Sequence, residues 1–262
     1  MKIRIMLVLC AAAVALTVGV STATAAPACG TVTSNTTLGS DCSGPLTVGA
    51  SGITVDLGGH SVLCSGVPGV TGIDVGSWSN VLVENGSVDG CEEGVLADGG
   101  DSNQFVALTL TNNNVGFEVS NSVSTTIMRN KVTNSPFTGV LLFQTSGFVV
   151  HRNTVLDSGI GIFDNGGTNN VISLNSASRG VGISDVGILL NAKSDTVVRN
   201  STVANGTGIW VSVPSVPPGA NRLLANTSTD NNVLDMRDDA AGCDSNIWKA
   251  NTFITANQPC IQ

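Results

Sequence analysis

The chain has few of the residues on which many functional sites depend. It contains no Tyr, two His and three Trp among 262 residues, and only 11% of its residues are charged. After residue 25, no stretch keeps an apolar period of 3.6 residues over three turns, so we expect little helix. No Cys-x-x-Cys and no paired His is present. These absences argue against a helical protein and against a metal site built from Cys and His.

Basic residues are also scarce. Lys2 and Arg4 stand in an N-terminal segment that we expect to be removed, and nine Lys and Arg then remain against 19 Asp and Glu. The resulting net charge of −10 argues against nucleic acid and against an anionic membrane as partners. An acidic polysaccharide stays open as a partner, because a local patch or bound Ca²⁺ reverses the charge at a site.

Residues 1–25 have the organisation of a secretory signal peptide. Lys2 and Arg4 begin it, an apolar run of 16 residues follows from Ile5 to Val20, and Ala23-Thr24-Ala25 supplies small residues for cleavage. A membrane anchor is the alternative, but the run is shorter than the roughly 20 residues that a span needs. We therefore expect a secreted, extracellular or periplasmic protein without a membrane partner after cleavage.

A Gly followed by an apolar residue recurs along most of the chain. Its spacings are 22, 22, 23, 22, 26 and 21 residues. A repeat of this length indicates a solenoid, in which each unit buries its apolar face only by stacking on its neighbours. The repeated positions are Gly72, Gly94, Gly116, Gly139, Gly161, Gly187 and Gly208.

A column of Asn runs beside the Gly column. Within each unit the apolar residues alternate, which is the period of a strand with one buried face. We expect each Asn to adopt the left-handed backbone of a sharp corner, and the stacked side chains to hydrogen-bond the backbone of the next coil. The column contains Asn85, Asn130, Asn153, Asn175, Asn200, Asn226 and Asn251.

Two or three short strands in each coil, wound in one direction, predict an all-β, single-domain right-handed parallel β-helix of about 8–9 coils. The chain resembles the pectate-lyase-like superfamily, and specifically the secreted right-handed β-helix repeat proteins related to the NosD group. The resemblance covers residues 29–262, and its marks include the segments 53–62 and 234–253. Predicted boundaries are 26–50 for an N-terminal cap, 51–232 for the β-helix and 233–262 for a C-terminal cap.

Six Cys remain once the leader and Cys10 are removed. An even count in an exported chain favours disulfides, although free buried thiols remain an alternative and a metal site a weaker one. Of the fifteen possible pairings, sequence proximity and coil geometry favour Cys29–Cys42, Cys64–Cys91 and Cys243–Cys260. The first and last pairs would then stabilise the caps, where a β-helix exposes unpaired backbone.

An apolar row is predicted on the outside of one sheet. In the strand after each Gly, the second and fourth residues should point outward, and these positions become apolar and aromatic along the solenoid. Such a row suggests a carbohydrate-binding groove, an oligomer interface or a surface covered by a loop or tail. Longer segments after Asn175 and after Gly208 would form walls. The row contains Leu141, Phe143, Phe163, Leu189 and Trp210.

Polar residues near this row are the candidates for catalysis. Asp164, Arg179, Asp185 and Lys193 could bind a uronate or abstract a proton beside its carboxylate, as a lyase or hydrolase of acidic polysaccharide requires. The catalytic signatures of the resembled superfamily are mostly missing, since the chain has no Tyr-His pair and no Gly-His-Gly motif. A non-catalytic, adhesin-like surface protein is therefore the alternative.

Three acids on successive coils are candidates for a calcium site. Asp74, Asp98 and Glu118 occupy outward positions, and Ca²⁺ takes several oxygen ligands. No fixed calcium motif accompanies them, so ordinary surface acids are the alternative. We expect that no cofactor is required, with Ca²⁺ as an optional ligand.

Overall fold

The computed structural model describes residues 26–181, 185–212 and 220–262. The predicted signal peptide lies outside these ranges. The described chain forms a right-handed parallel β-helix of about nine turns, which confirms the predicted fold. Strands pair in parallel with their equivalents in neighbouring coils, and three sheets run along the solenoid. Within the described ranges, helix is confined to one 3-10 turn at Ala241–Cys243.

The strands are numbered in chain order and divide among the three sheets. The first sheet contains β1 (Ala28–Val32), β3 (Cys42–Val48), β6 (Ile73–Gly76), β8 (Glu93–Asp98), β10 (Val115–Ser120), β13 (Thr138–Phe143), β16 (Ile160–Thr168), β19 (Val186–Lys193), β22 (Thr207–Val211) and β25 (Leu234–Asp238). The second contains β2 (Thr36–Thr37), β4 (Thr54–Asp56), β7 (Leu82–Asp89), β9 (Gln104–Thr111), β11 (Thr126–Met128), β14 (Val149–His151), β17 (Val171–Ser173), β20 (Thr196–Val198), β23 (Arg222–Leu224) and β26 (Ile247–Lys249). The third contains β5 (Ser61–Leu63), the second halves of β7 and β9, β12 (Lys131–Thr133), β15 (Thr154–Leu156), β18 (Ser176–Ser178), β21 (Ser201–Val203) and β24 (Thr227–Thr229).

An apolar column runs along the inside of the first sheet. The residue after each repeated Gly points inward, and strand register places these residues one above another. All of them are fully buried, so the predicted alternation is confirmed. Each coil completes the core of its neighbours, as expected for a solenoid. The column contains Ile73, Val95, Phe117, Val140, Ile162, Ile188 and Ile209.

The repeated Gly has a steric cause. A Cβ added to Gly94 would lie 2.6 Å from the carbonyl oxygen of Gly116, and one added to Gly187 would lie 2.6 Å from that of Gly208. None of the seven repeated Gly has a positive φ angle. Close approach between coils, rather than turn geometry, therefore requires Gly at these positions.

Buried Asn side chains connect successive coils, as the sequence predicts. The Asn153 side chain accepts a hydrogen bond from the Asn130 backbone N–H at 2.9 Å and donates to the Ile127 carbonyl at 2.9 Å. It also donates to Asn175 Oδ1 at 3.0 Å. The same contacts recur along the stack, so buried backbone groups at this corner are satisfied by side chains.

The left-handed backbone predicted for the seven Asn residues of the column is confirmed for Asn85 and wrong for the other six. The left-handed residue is the one before the buried Asn, with φ of 58° at Arg129 and 56° at Arg152. Asn85 is itself left-handed, and Gly86 takes the position that Asn occupies in later coils. The buried Asn turns inward immediately after the corner because its side chain must reach the backbone of adjacent coils.

All three predicted disulfides are present. The Cα–Cα separations are 4.9 Å for Cys29–Cys42, 4.9 Å for Cys64–Cys91 and 6.1 Å for Cys243–Cys260. The predicted cap segments also contribute strands to the solenoid, since β1 pairs with β3 and β25 pairs with β22. At the C-terminal end, buried Asp238 accepts hydrogen bonds from Trp248 Nε1 at 2.8 Å and from Asn246 Nδ2 at 3.1 Å.

Two carboxyl groups meet inside the solenoid. Asp164 points inward between Leu142 and Leu190, and Asp195 replaces Asn in a second buried polar column. Both are fully buried, and one oxygen of each has no donor among the described residues. Burial and the neighbouring Asp164 charge raise the pKa of Asp195 to about 9, and burial also raises the pKa of Asp164. A proton held between the two carboxyls supplies the missing donor.

Replacing a stacked Asn should destabilise the protein. We expect Asn175→Ala to lower the free energy of unfolding by about 2–4 kcal/mol, because it leaves the Asn153 N–H and the Val150 carbonyl buried without partners. Urea unfolding monitored by circular dichroism measures this change. Asn114→Ala is the control, since that exposed side chain bonds only Glu92. Equal losses in the two variants would contradict the assignment.

Stability should also depend on the Asp164–Asp195 pair. The pKa of Asp195 is higher in the folded than in the unfolded protein, so the folded state binds more protons between about pH 4 and pH 9. We therefore expect its contribution to be complete below about pH 4 and to decline, by up to ~1.4 kcal/mol per pH unit, as pH rises. Urea unfolding at a series of pH values measures the slope.

An amide in place of one carboxyl should flatten this pH dependence. Asp195→Asn introduces the residue found at the equivalent positions Asn170 and Asn221 of the adjacent coils. The amide group of the new Asn donates hydrogen bonds at any pH, so it does not need to take up a proton. The control is Asp230→Asn, because Asp230 is exposed. An unchanged slope in Asp195→Asn would show that the pair does not hold the proton.

Candidate functional site

The apolar row predicted from the sequence is assembled on the outer face of the first sheet. Register pairs Leu141 with Phe163, Phe163 with Leu189, and Leu189 with Trp210. These four side chains are half-buried, and Phe143 beside them is 39% exposed. Three steps between coils give the row a length of about 14 Å. The strands thus bring together residues that are up to 69 positions apart in sequence.

A polar cluster closes the row at its C-terminal end. Register places Arg237 beside Trp210, and its guanidinium lies 4.1 Å from the ring centroid. Asp239 accepts from Arg237 Nε at 2.7 Å and from Trp210 Nε1 at 2.9 Å. The sequence reasoning missed Arg237 and Asp239, although the outward period continues into β25 and could have identified them.

Acidic residues flank the other end of the row. Glu118 pairs in register with Leu141, and burial followed by the charges of Glu93 and Asp98 raises its pKa. Asp98 accepts from Asn121 and Ser120, each at 2.8 Å, and these hydrogen bonds lower its pKa. One end of the face therefore carries several acidic side chains that lie near one another.

The predicted calcium ligands do not form a centre. Asp74, Asp98 and Glu118 lie on successive coils of the first sheet, in two outward columns. No group of three or more His, Cys, Asp or Glu among the described residues is arranged to hold a metal ion. A calcium requirement stays a prediction.

The four predicted catalytic residues are not brought together. Asp164 is fully buried, so its predicted place on the outer face is wrong: it is the third residue after Gly161 and points inward. Arg179 forms an ion pair with Asp157 at 2.7 Å, outside the row. Asp185 directly precedes β19, and Lys193 ends it, which separates their Cα atoms by about 26 Å. These residues therefore cannot act together on one bond.

The two predicted walls lie partly outside the described residues. The segment after Asn175 includes residues 182–184, and the segment after Gly208 includes residues 213–219, all of which lie outside the described residues. The described part of the row is a strip of half-buried side chains on the outer face of the first sheet. Such a strip suits an extended ligand that packs an apolar surface against exposed side chains.

Solved structures share this architecture at low sequence identity. An alginate lyase from Paenibacillus sp. str. FPU-7 superposes with a TM-score of 0.71 and 13% identity, covering 88% of this chain and 91% of that chain. A DFA-IIIase from Arthrobacter chlorophenolicus A6 has a TM-score of 0.60 and 13% identity, covering 82% of this chain and 60% of that chain. A double mutant of a periplasmic alginate epimerase has a TM-score of 0.52 and 10% identity, covering 81% and 62%.

These similarities establish the fold and nothing further. The chain spans about 60% of the length of the DFA-IIIase. No match is found among curated proteins. No helix in the described ranges is long and apolar enough to cross a membrane.

One protein family, described as periplasmic copper-binding protein (NosD), matches residues 53–259. Copper favours thiolate, thioether and imidazole ligands. All six described Cys are in disulfides, and His60 and His151 lie four coils apart, or about 19 Å. His151 Nδ1 is already within 2.9 Å of Ser173 Oγ. Met128 is in register with His151 on the neighbouring coil, so one thioether lies beside one imidazole. No group of three or more His, Cys, Asp or Glu among the described residues is arranged to hold a metal ion, so this pair has no further donors of those types grouped around it to complete a copper centre.

The family match extends over well more than half of the chain and covers nearly all of the described solenoid. The right-handed parallel winding, the disulfides and the superposed structures agree with it. The chain therefore belongs to the NosD family of periplasmic β-helix proteins.

Proposed function

We propose that the protein binds carbohydrate on the outer face of its first sheet, in an extracellular or periplasmic compartment. The observation that carries this proposal is the register that stacks Leu141, Phe163, Leu189 and Trp210 into one half-buried row. Aromatic and aliphatic side chains in such a row offer an apolar platform to the faces of sugar rings, and neighbouring polar groups can pair with hydroxyls.

The comparisons support the same proposal. Structural neighbours are described as an alginate lyase and an alginate epimerase, and another is a DFA-IIIase in complex with DFA-III. The periplasmic family and the three disulfides support export to an oxidising compartment.

Binding without cleavage is the form of the proposal that fits the described residues. Asp164 is buried, while Asp185 and Lys193 are at opposite ends of β19. General acid–base catalysis needs both groups within hydrogen-bonding reach of the reacting atoms. Cleavage of an acidic polysaccharide would therefore have to use residues other than the predicted four.

The same row also supports a second candidate function, a homo-oligomer interface. Its members form a continuous apolar strip, and Phe143 adds an exposed ring beside it. Two copies packing this strip together would bury it as effectively as a ligand does. Disruption of the row should weaken glycan binding if the first function is correct, and should dissociate the oligomer if the second is correct.

Removing a ring from the row should weaken glycan binding. We expect Phe163→Ala to reduce retention in polysaccharide affinity gels by about tenfold, because the lost contact contributes on the order of 1.4 kcal/mol. Phe137→Ala is the control, since Phe137 is 54% exposed but lies outside the row. Product release, followed by reducing-sugar and ultraviolet assays with and without Ca²⁺, should be absent.

The outcome separates the candidate functions. Equal retention of Phe163→Ala and Phe137→Ala would contradict carbohydrate binding on this row. Conversion of a dimer to a monomer by Phe163→Ala, measured by analytical ultracentrifugation, would instead establish the interface.

A further inference from the structure

The charges around the apolar row are almost entirely negative or already compensated. Glu118 adjoins Leu141 in the first sheet, and Glu93 and Asp98 are close enough to raise its pKa. Asp74 lies two coils before Glu118 in the same ladder. A polymer bearing carboxylates would bring further negative charge to this end of the face.

The cation at the other end is not available to a carboxylate ligand. Arg237 donates to Asp239 through Nε at 2.7 Å and through Nη2 at 3.3 Å, and its planar group covers the Trp210 ring. A ligand carboxylate would have to replace Asp239 in order to receive the paired donors of the guanidinium. The cluster of Trp210, Arg237 and Asp239 therefore has no net charge.

Other basic residues do not reverse this balance. Arg179 is paired with Asp157, and Lys193 stands alone at the end of β19, four residues beyond Leu189. The segments 182–184 and 213–219 contain no Lys, Arg or His in the sequence. These segments therefore carry no positively charged side chain.

Uncharged hydrogen-bonding groups lie directly beside the row. Asn165 pairs in register with Phe143, Asn191 pairs with Asn165, and Asn191 Nδ2 donates to Asn165 Oδ1 at 3.0 Å. Both side chains are half-buried. Amide groups donate to and accept from hydroxyls, which neutral sugars present in abundance.

We propose that the carbohydrate bound on this face is an uncharged polysaccharide, and that Glu118 with its acidic neighbours discriminates against polymers of uronic acids. This inference rests on the proposed function, and it specifies the substrate class for the same site. Discrimination arises by repulsion, since like charges brought together disfavour the wrong partner.

The sharpest test uses ligand pairs that share their chain linkages and differ in whether each sugar carries a carboxylate or an uncharged hydroxymethyl group. Alginate and polygalacturonate are each compared with their carboxyl-reduced forms, which keep the chain linkages and lose the charge, and a panel of neutral polysaccharides is added. Binding is measured by affinity electrophoresis at low and high salt, with and without Ca²⁺. We expect a neutral form to bind at least about tenfold more tightly than its acidic partner at low salt, with a smaller ratio at high salt.

Variants locate the source of the discrimination. Glu118→Gln should reduce the ratio between neutral and acidic forms while retaining binding of the neutral form, because the substitution removes charge without changing shape. Glu84→Gln is the matched control, since Glu84 is also half-buried but lies in the second sheet. An unchanged ratio in Glu118→Gln would contradict the role given to this residue.

The failures are distinguishable. Equal or tighter binding of an acidic form, including binding that appears only with Ca²⁺, would overturn the neutral-ligand inference and leave carbohydrate binding intact. Absence of binding across both charged and neutral ligands would overturn the proposed function and the inference with it.

Discussion

Hydrogen bonding between successive coils is the constraint on which this structure depends. The backbone ladders of the three sheets are continued at the corners by buried Asn side chains, such as Asn153, which contacts the coils on both sides. Gly94 and its equivalents allow the coils to approach closely enough for these bonds to form. Because neither the apolar core nor the polar columns can be completed within one coil, stability is a property of the stack.

The same constraint creates the candidate site. Once inward residues such as Phe117 and Val140 are held in register, the residues that follow them must also align on the outside. A row is therefore obtained, and its composition changes from acidic at Glu118 to apolar at Phe163 and to a compensated ion pair at Arg237.

The interior of the solenoid is not uniformly apolar or uniformly neutral. Asp164 occupies a position filled by Leu142 and Leu190 in the adjacent coils, and Asp195 occupies a position filled by Asn170 and Asn221. Burial raises the pKa of both carboxyl groups, and the proximity of Asp164 raises that of Asp195 further. Their proximity follows from the fold and not from their separation of 31 residues in sequence.

Much of the fold could be predicted from the sequence because its causes are periodic. The Gly and Asn columns and the alternation after Gly116 indicate the parallel β-helix, and the spacing of Cys29 and Cys42 indicates a disulfide. The apolar row was predictable for the same reason. The left-handed backbone of Arg129 could not be predicted, because a repeat shows that a corner exists but not which of its residues has the positive φ angle.

The candidate chemistry could be predicted only in part. Counting outward positions identified Phe163 and Trp210, but it grouped Asp185 with Lys193 although a whole strand separates them. Arg237 and Asp239 were not predicted as site residues, because what places them at the site is their contact with Trp210. By itself, the sequence determined the winding and the core columns, since both follow from a local repeat, and it favoured the disulfide pairs that the structure contains. Only the tertiary structure decided which charges meet, because that depends on side-chain direction and on contacts between distant coils.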